Sequence, residues 1–211
     1  MQIYLTSMGL ENKFIQQHFK KILQPREIKT LSVLVVSEQS SSLDVGYLNK
    51  TISELNTAGF TDITIFKLNS EHFIADKNYD VIYVCGGNTF VYLDRIRKSG
   101  LDKFIIDSVR NNKSIYVGVS AGSIIVGPSI KTASIGSEGD LNEINLKLLL
   151  GLQLVDFLIF PHFTNKDLTN IKDLEKRTAL PVLRLADNEA VFIKSAQTAT
   201  LKDIYDKVKV S

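Results

Sequence analysis

The stretch YVGVSAGSIIVG, residues 116–127, decides the fold because it joins two apolar runs through a turn of small residues. An apolar run before such a turn predicts a buried strand, and the apolar run after it predicts a helix. Gly118, Ser120 and Gly122 match G-x-S-x-G, the pattern of a strand-to-helix turn that exposes a serine hydroxyl. Ser120 is therefore either a nucleophile, or a helix cap between glycines that let a strand and a helix pack closely.

On both sides of this turn, short apolar runs rich in β-branched residues alternate with longer amphipathic segments. Nearly continuous apolar runs such as LSVLVV, residues 31–36, are typical of strands that are covered on both faces. The alternation predicts an α/β fold with a parallel sheet and helices on both faces, in one domain of residues 1–211. The predicted strands are residues 3–6, 31–36, 62–68, 79–84 and 114–117, and the predicted helices are residues 11–23, 42–58, 90–99 and 101–111.

The pattern is looser beyond the turn, where residues 123–126 are predicted to continue as a buried helix. A strand at residues 156–160 and a helix at residues 166–179 follow. Two further strands are predicted at residues 181–185 and 190–194. They are close enough in sequence to pair as a hairpin around Asp187 and Asn188.

A second loop of small residues, CGGNTF at residues 85–90, also follows a predicted strand and precedes a predicted helix. Because parallel strands end at one edge of a sheet, this loop and the Ser120 turn are expected to face each other. The Gly87 N–H could donate to an oxyanion, and Asn88 and Thr89 could contact a substrate or an anion. The alternative is a turn in which Asn88 or Thr89 caps the helix.

A serine nucleophile needs a base and, behind it, a carboxylate. Of the three histidines, His162 is favoured because it ends the apolar run FLIFP, whereas His18 and His72 lie in polar or amphipathic segments. Spacing alone does not choose the carboxylate, because the members of a triad meet in space. The candidates between the turn and the end of the chain are Glu138, Asp140, Asp156, Asp167, Asp187 and Glu189.

The composition argues against several classes of protein. The net charge is +2 and no block of five like charges occurs, so no nucleic acid partner is expected. No apolar run approaches the roughly 18 residues of a membrane helix and no signal peptide is visible, so a cytoplasmic location without membrane contact is expected. The single Cys85 suits a reducing compartment and a buried position. Neither H-E-x-x-H nor a Cys/His cluster occurs, so no metal or cofactor is expected.

Four stretches stand out when they are taken together in this order: GGNTF at residues 86–90, GVSAGS at 118–123, PSIKT at 128–132 and PHFTN at 161–165. With them the chain resembles the serine peptidase family that includes aspartyl dipeptidase and, more remotely, cyanophycinase, which is peptidase family S51. The resemblance covers almost the whole chain. It implies a doubly wound, mostly parallel, flavodoxin-like α/β fold similar to that of class I glutamine amidotransferases.

Carried over by position, the resemblance implies that Ser120 is the nucleophile, that His162 is the base, and that the amides of Gly87 and Ala121 hold the oxyanion. The acid departs from the family pattern. The Asp that follows the PSIKT-like segment in aspartyl dipeptidase corresponds here to Ile135. A second family position, in the turn after the strand that follows His162, is occupied by Asp187, which is preferred, with Glu189 and Glu138 in reserve.

The function that the resemblance implies is a serine peptidase for small peptides, with dipeptides that carry an N-terminal Asp as a candidate substrate. An esterase or amidase that uses the same Ser120 is one alternative, and a catalytically silent binding protein of the same fold is another. A homodimer stays open: many small α/β domains pair through a helix or an edge strand, but no patch in the sequence identifies such a surface.

Overall fold

A computed structural model gives the fold and describes residues 1–38, 42–68, 72–136 and 139–210. Strands and helices alternate through the first half of the chain. In chain order the elements are β1 (Gln2–Thr6), α1 (Lys13–Leu23), β2 (Ser32–Ser37), α2 (Ser42–Ala58), β3 (Asp62–Lys67), β4 (Val81–Val84), α3 (Thr89–Ser99), α4 (Leu101–Arg110), β5 (Ile115–Val119), α5 (Ala121–Ile124), β6 (Leu158–Phe160), α6 (Leu168–Thr178), β7 (Val182–Arg184), β8 (Glu189–Lys194) and β9 (Ile204–Lys209).

The main sheet has seven strands in the order β3-β2-β4-β5-β1-β8-β9. The first five strands of this order run parallel, whereas β8 is antiparallel to β1 and β9 is antiparallel to β8. Strands β2, β4, β5 and β1 are buried along nearly their whole length, which requires cover on both faces of the sheet. The predicted α/β fold with a mostly parallel sheet is confirmed, and the closer likeness to class I glutamine amidotransferases stays a prediction.

Local signals set several helix boundaries close to their predicted positions. Helix α1 begins after Asn12, whose side-chain oxygen accepts the Phe14 N–H at 2.9 Å, and it ends two residues before Pro25. Helix α2 occupies the predicted residues 42–58 and stops at Gly59, which has φ +107°. Gly100, with φ +76°, separates α3 from α4 as predicted.

The predicted hairpin around Asp187 and Asn188 is wrong. Strand β7 pairs with β6, in parallel, in a separate two-stranded sheet, and β8 joins the main sheet beside β1. The physical reason is burial. Residues 190–193 of β8 are all buried where this strand pairs with β1 in the main sheet. Strand β7 is instead brought beside β6 by the crossover through α6.

The helix predicted at residues 123–126 is also different in the structure. The α5 helix after Ser120 is a single turn that ends at Ile124. The carbonyls that would continue it accept hydrogen bonds from a returning segment instead: Leu152 N–H donates to the Ile125 carbonyl at 2.7 Å, and Leu154 N–H donates to the Val126 carbonyl at 2.9 Å. The helix dipole at the turn is correspondingly small.

The apolar side chains form a large cluster around the main sheet and a small one around β6, β7 and α6. The small cluster consists of Leu158, Phe160, Ile171, Leu174 and Val182, with Ile135, Phe163 and Leu180 packed against it. None of the helices within the described ranges is both long and apolar enough to cross a membrane.

Candidate active site

Ser120 lies on a sharp turn between β5 and α5. Its φ of +50° and ψ of −110° are an unusual conformation for a residue with a side chain, and such strain is concentrated at functional sites. The flanking glycines are required by close backbone approaches. A Cβ at Gly118 would lie 2.6 Å from the Gly122 carbonyl oxygen, and a Cβ at Gly122 would lie 2.3 Å from the Val84 carbonyl oxygen. The close-packing explanation therefore holds for both glycines, whatever Ser120 does.

Hydrogen bonds from β1 and from within the turn hold this backbone in place. The Thr6 carbonyl accepts the Ser120 N–H at 3.0 Å and the Ser123 hydroxyl at 2.8 Å. The Ser123 hydroxyl also lies 2.8 Å from the Gly118 carbonyl, and the Tyr116 hydroxyl donates to the Gly122 carbonyl at 2.7 Å. This role of Ser123 was not predicted from the sequence, where its place at the end of GVSAGS is the signal that points to it.

The Ser120 hydroxyl makes no capping hydrogen bond with α5, so the capping alternative does not describe it. It lies instead 3.0 Å from Nε2 of His162, which follows β6. The other ring nitrogen of His162, Nδ1, lies 2.6 Å from Oδ1 of Asp187, which follows β7. When the ionised Asp187 carboxylate accepts the Nδ1 proton, Nε2 is left as the acceptor for the serine hydroxyl. The three side chains thus form one hydrogen-bonded chain.

This series of hydrogen bonds is open to solvent at Asp187. The side chain of His162 is 35% exposed and that of Asp187 is 62% exposed. Water therefore screens the interaction between the imidazole and the carboxylate more than it would in a buried pair. The short distance and the alignment of the hydrogen bond, rather than a low dielectric, hold the ring.

Glu189 lies near Asp187 in sequence, but its carboxylate contacts Ala186 and two lysines rather than His162. Its buried carboxylate accepts the Ala186 N–H at 3.1 Å and pairs with Lys207 at 3.2 Å and Lys209 at 3.4 Å. Burial acts to raise the pKa of Glu189, but the Ala186 N–H and the two lysines outweigh it and lower the pKa below its usual value. Glu189 thus stabilises the turn that carries Asp187.

The other reserve acid and the family position are also accounted for. Glu138 lies outside the described residues. Ile135, at the position where aspartyl dipeptidase has an acid, is partly buried in the small apolar cluster. The carboxylate that contacts His162 in the structure is that of Asp187.

The loop after β4 lies against Ser120. A Cβ at Gly86 would be 3.3 Å from the Ser120 Cβ and 3.9 Å from its Oγ. Gly87 has φ +148°, and a Cβ there would lie 2.6 Å from the Tyr92 ring, so a residue with a side chain would not fit. Within the described residues, the N–H groups of Gly87 and Ala121 donate to no other group. The assignment of these two amides to an oxyanion hole stays a prediction.

Asn88 and Thr89 make the contacts of a helix cap. The Asn88 side-chain oxygen accepts the N–H groups of Phe90 and Val91, and its amide donates to the Leu141 carbonyl at 2.9 Å. Thr89 is fully buried, and its N–H and hydroxyl donate to Asp140 at 2.8 and 2.6 Å. The capping alternative thus describes this loop. Substrate binding by Asn88 and Thr89 stays a prediction.

Cys85, His18 and His72 have the surroundings of structural or surface residues. Cys85 is buried, and burial raises the pKa of its thiol to about 12, so it is no thiolate nucleophile. His18 contacts Tyr4 and Asp206, and His72 is exposed on the surface. Among the residues that the structure describes, no three His, Cys, Asp or Glu side chains are grouped so as to hold a metal ion.

An α/β fold that joins a serine hydroxyl, an imidazole and a carboxylate in one hydrogen-bonded chain has the geometry of hydrolases with a Ser-His-acid triad. Comparison with known proteins supports the coarser class, a peptidase. The model of peptidase family S51 matches residues 4–201. The chain therefore belongs to peptidase family S51.

Individual relatives give the same result. An uncharacterized peptidase of Listeria monocytogenes is 33% identical over 127 residues, which are 59% of this chain and 61% of that protein. Peptidase E of Nostoc sp. is 29% identical over 168 residues, which are 78% of this chain and 65% of that protein. The aligned part thus spans less than two thirds of each relative's length. A crystal structure of a candidate peptidase E protein from Listeria monocytogenes superposes with a TM-score of 0.73 at 23% identity, over 100% of this chain and 98% of the other, which shows a shared fold.

Proposed function

We propose that this protein is a serine-type peptidase that hydrolyses small peptides. The observation that carries the proposal is the continuous chain of contacts from Asp187 Oδ1 to His162 Nδ1 at 2.6 Å and from His162 Nε2 to Ser120 Oγ at 3.0 Å. Membership of peptidase family S51 supports the choice of a peptide substrate. In this proposal Ser120 is the nucleophile, His162 the general base and acid, and Asp187 the orienting acid.

The reaction follows from these positions. Ser120 Oγ attacks the scissile carbonyl carbon while its proton passes to His162 Nε2, and the new oxyanion is held by the Gly87 and Ala121 N–H groups. The carbon–nitrogen bond then breaks, and His162 gives its proton to the leaving amine. In the second half, water attacks the ester carbonyl and gives a proton to His162. The bond to Ser120 breaks, the carboxylic acid is released, and the proton returns to Oγ.

The substrate class is the less constrained part of the proposal. The family resemblance suggests dipeptides with an N-terminal Asp, but the chain has Ile135 where aspartyl dipeptidase has an acid. A panel of dipeptides that differ only in the first residue tests this preference. Turnover that is highest for Asp supports it, and a flat profile removes the Asp preference while leaving peptidase activity in place.

The nucleophile is tested with a fluorophosphonate probe and the Ser120→Ala variant. We expect the parent protein to be labelled at Ser120 and to cleave dipeptides, and we expect Ser120→Ala to lose both properties while keeping its circular dichroism spectrum. Ser53→Ala is the matched control, because Ser53 is an exposed serine on α2 and the same hydroxyl is removed.

Three results would count against the proposal. Hydrolysis by Ser120→Ala at the parent rate would refute the assignment of the nucleophile. Ester turnover without peptide turnover would favour an esterase that uses the same serine. A folded protein that is neither labelled nor active on peptides or esters would favour a binding protein of the same fold.

A further inference from the structure

The proposed site is divided between two sheets. Ser120 follows β5 of the main sheet, whereas His162 and Asp187 follow β6 and β7 of the separate two-stranded sheet. No β-ladder hydrogen bond joins these two sheets in the described residues, so the register of one does not fix the position of the other. The hydroxyl–imidazole distance nevertheless has to be held closely, because a misplacement of about 1 Å can cost about a hundredfold in rate.

Ser7 lies where the two parts meet. It directly follows β1 of the main sheet and is only 1% exposed. Its hydroxyl donates to the Leu185 carbonyl at 3.0 Å and accepts the backbone N–H of His162 at 3.1 Å. Leu185 lies two residues before Asp187. A single side chain from the main sheet is therefore bonded to the backbone of both segments that carry the base and the acid.

The neighbouring residue makes the matching contact on the other side. The Thr6 carbonyl accepts the Ser120 N–H at 3.0 Å. Two consecutive residues at the end of β1 thus contact the backbone of the nucleophile and the backbone of the base. Thr6 and Ser7 therefore fix the spacing between the backbones of Ser120 and His162.

A hydroxyl is suited to this position because it can donate one hydrogen bond and accept another at the same time. The bond to His162 also supports an unfavourable conformation. His162 has φ +55°, a left-handed conformation that residues with a side chain adopt at a cost and that the surrounding structure has to hold. The Ser7→Ala substitution would leave the His162 N–H without this acceptor. The Leu185 carbonyl would still accept the Phe163 N–H, so the loss falls mainly on His162.

We propose that Ser7 is a positioning residue that aligns His162 and Asp187 with Ser120. Its effect on catalysis rests on the proposed peptidase function, but the alignment itself can be observed without any turnover. The competing explanation is that Ser7 only stabilises the fold, and Ser114 is the matched control for that explanation. Ser114 is also buried, and its hydroxyl donates to the Tyr79 carbonyl at 2.6 Å. It lies just before β5, at the end of that strand away from Ser120.

The first measurement is proton NMR of the protein labelled with ¹⁵N-histidine. The short bond between His162 Nδ1 and Asp187 is expected to give a proton resonance far downfield, which is assigned by its loss in His162→Gln. We expect Ser7→Ala to lose or broaden this resonance. We expect Ser114→Ala to keep it, although it also loses a buried hydroxyl.

The second measurement is the rate of labelling by the fluorophosphonate probe. We expect Ser7→Ala to react about tenfold to a hundredfold more slowly than the parent protein, and Ser114→Ala to stay within about twofold of it. If Ser7→Ala keeps both the downfield resonance and the parent labelling rate, the proposal is overturned. If the parent protein is neither labelled nor active, the peptidase function fails, and the NMR comparison still decides the role of Ser7: loss only in Ser7→Ala supports it, and retention refutes it.

Discussion

Replacing Asp187 by Asn tests how much the exposed carboxylate contributes to the proposed reaction. Two unit charges about 4 Å apart attract each other by about 1 kcal/mol in water and by about 4 kcal/mol at an effective dielectric constant of about 20. Because the Asp187 side chain is 62% exposed, we take the lower part of this range, about 1 to 2 kcal/mol. That is the stabilisation of the imidazolium that the variant would lose, and it corresponds to a decrease of about five- to thirtyfold in kcat.

The assay is the rate of hydrolysis of the best dipeptide of the panel, or of fluorophosphonate labelling, for the parent protein, Asp187→Asn and a control. Asp156→Asn is the control because Asp156 is also exposed and does not contact His162. We expect kcat to fall in Asp187→Asn with little change in KM, and the control to match the parent. Parent activity in Asp187→Asn, or an equal loss in Asp156→Asn, would refute the assigned role of this carboxylate.

Two further predictions concern stability. Gly122→Ala is expected to lower the free energy of unfolding in urea by about 1 to 3 kcal/mol, because the added Cβ would lie 2.3 Å from the Val84 carbonyl oxygen. Gly46→Ala is the control and should be neutral or stabilising, because a Cβ there meets nothing within 4 Å. Equal unfolding midpoints for the two variants would contradict this prediction. Burial raises the pKa of Glu54 above 4.5, although the Leu10 N–H that its carboxylate accepts acts to lower it. The folded state therefore binds the proton more tightly than the unfolded state, so Glu54 favours folding at low pH and this contribution is lost as the pH rises through its folded pKa. Glu54→Gln should accordingly be more stable than the parent in urea unfolding at pH 7.5, by a margin that shrinks toward pH 4.5; a margin independent of pH would show that the charge of Glu54 is not the cause.

Local sequence patterns predicted the parts of the fold that depend on local physics. The continuous apolar run at residues 31–36 is typical of a strand covered on both faces, and the structure has the buried strand β2 there. The small residues around Ser120 imposed a sharp turn, and the structure shows the close backbone approaches that need them. His162 was favoured because it ends an apolar run, and the structure places its Nε2 3.0 Å from Ser120 Oγ, although β6 lies in a separate sheet from β5.

Pairing between strands was beyond local prediction. Residues 181–185 and 190–194 are separated by a turn signal whether or not they pair with each other, and the choice is decided by distant partners, β6 for β7 and β1 for β8. Strand β9 was not predicted because its sequence, IYDKVK, shows no regular alternation of apolar and charged residues, and most of its residues are exposed. The choice of Asp187 rested on the family resemblance, because sequence spacing could not separate it from Glu189, which lies two residues away.

The Asp187–Asn188 turn is also the point at which the chain leaves the two-stranded sheet and enters the main one. The turn is also tied to the residue that follows β9, since Val210 N–H donates to the Asn188 carbonyl at 2.9 Å and the Asn188 amide donates to the Val210 carbonyl. Circular permutation at this turn would cut the connection that places the acid, and an inserted epitope tag would lengthen it. The exposed residues 196–198 between β8 and β9 are the better location for new termini or for an inserted label.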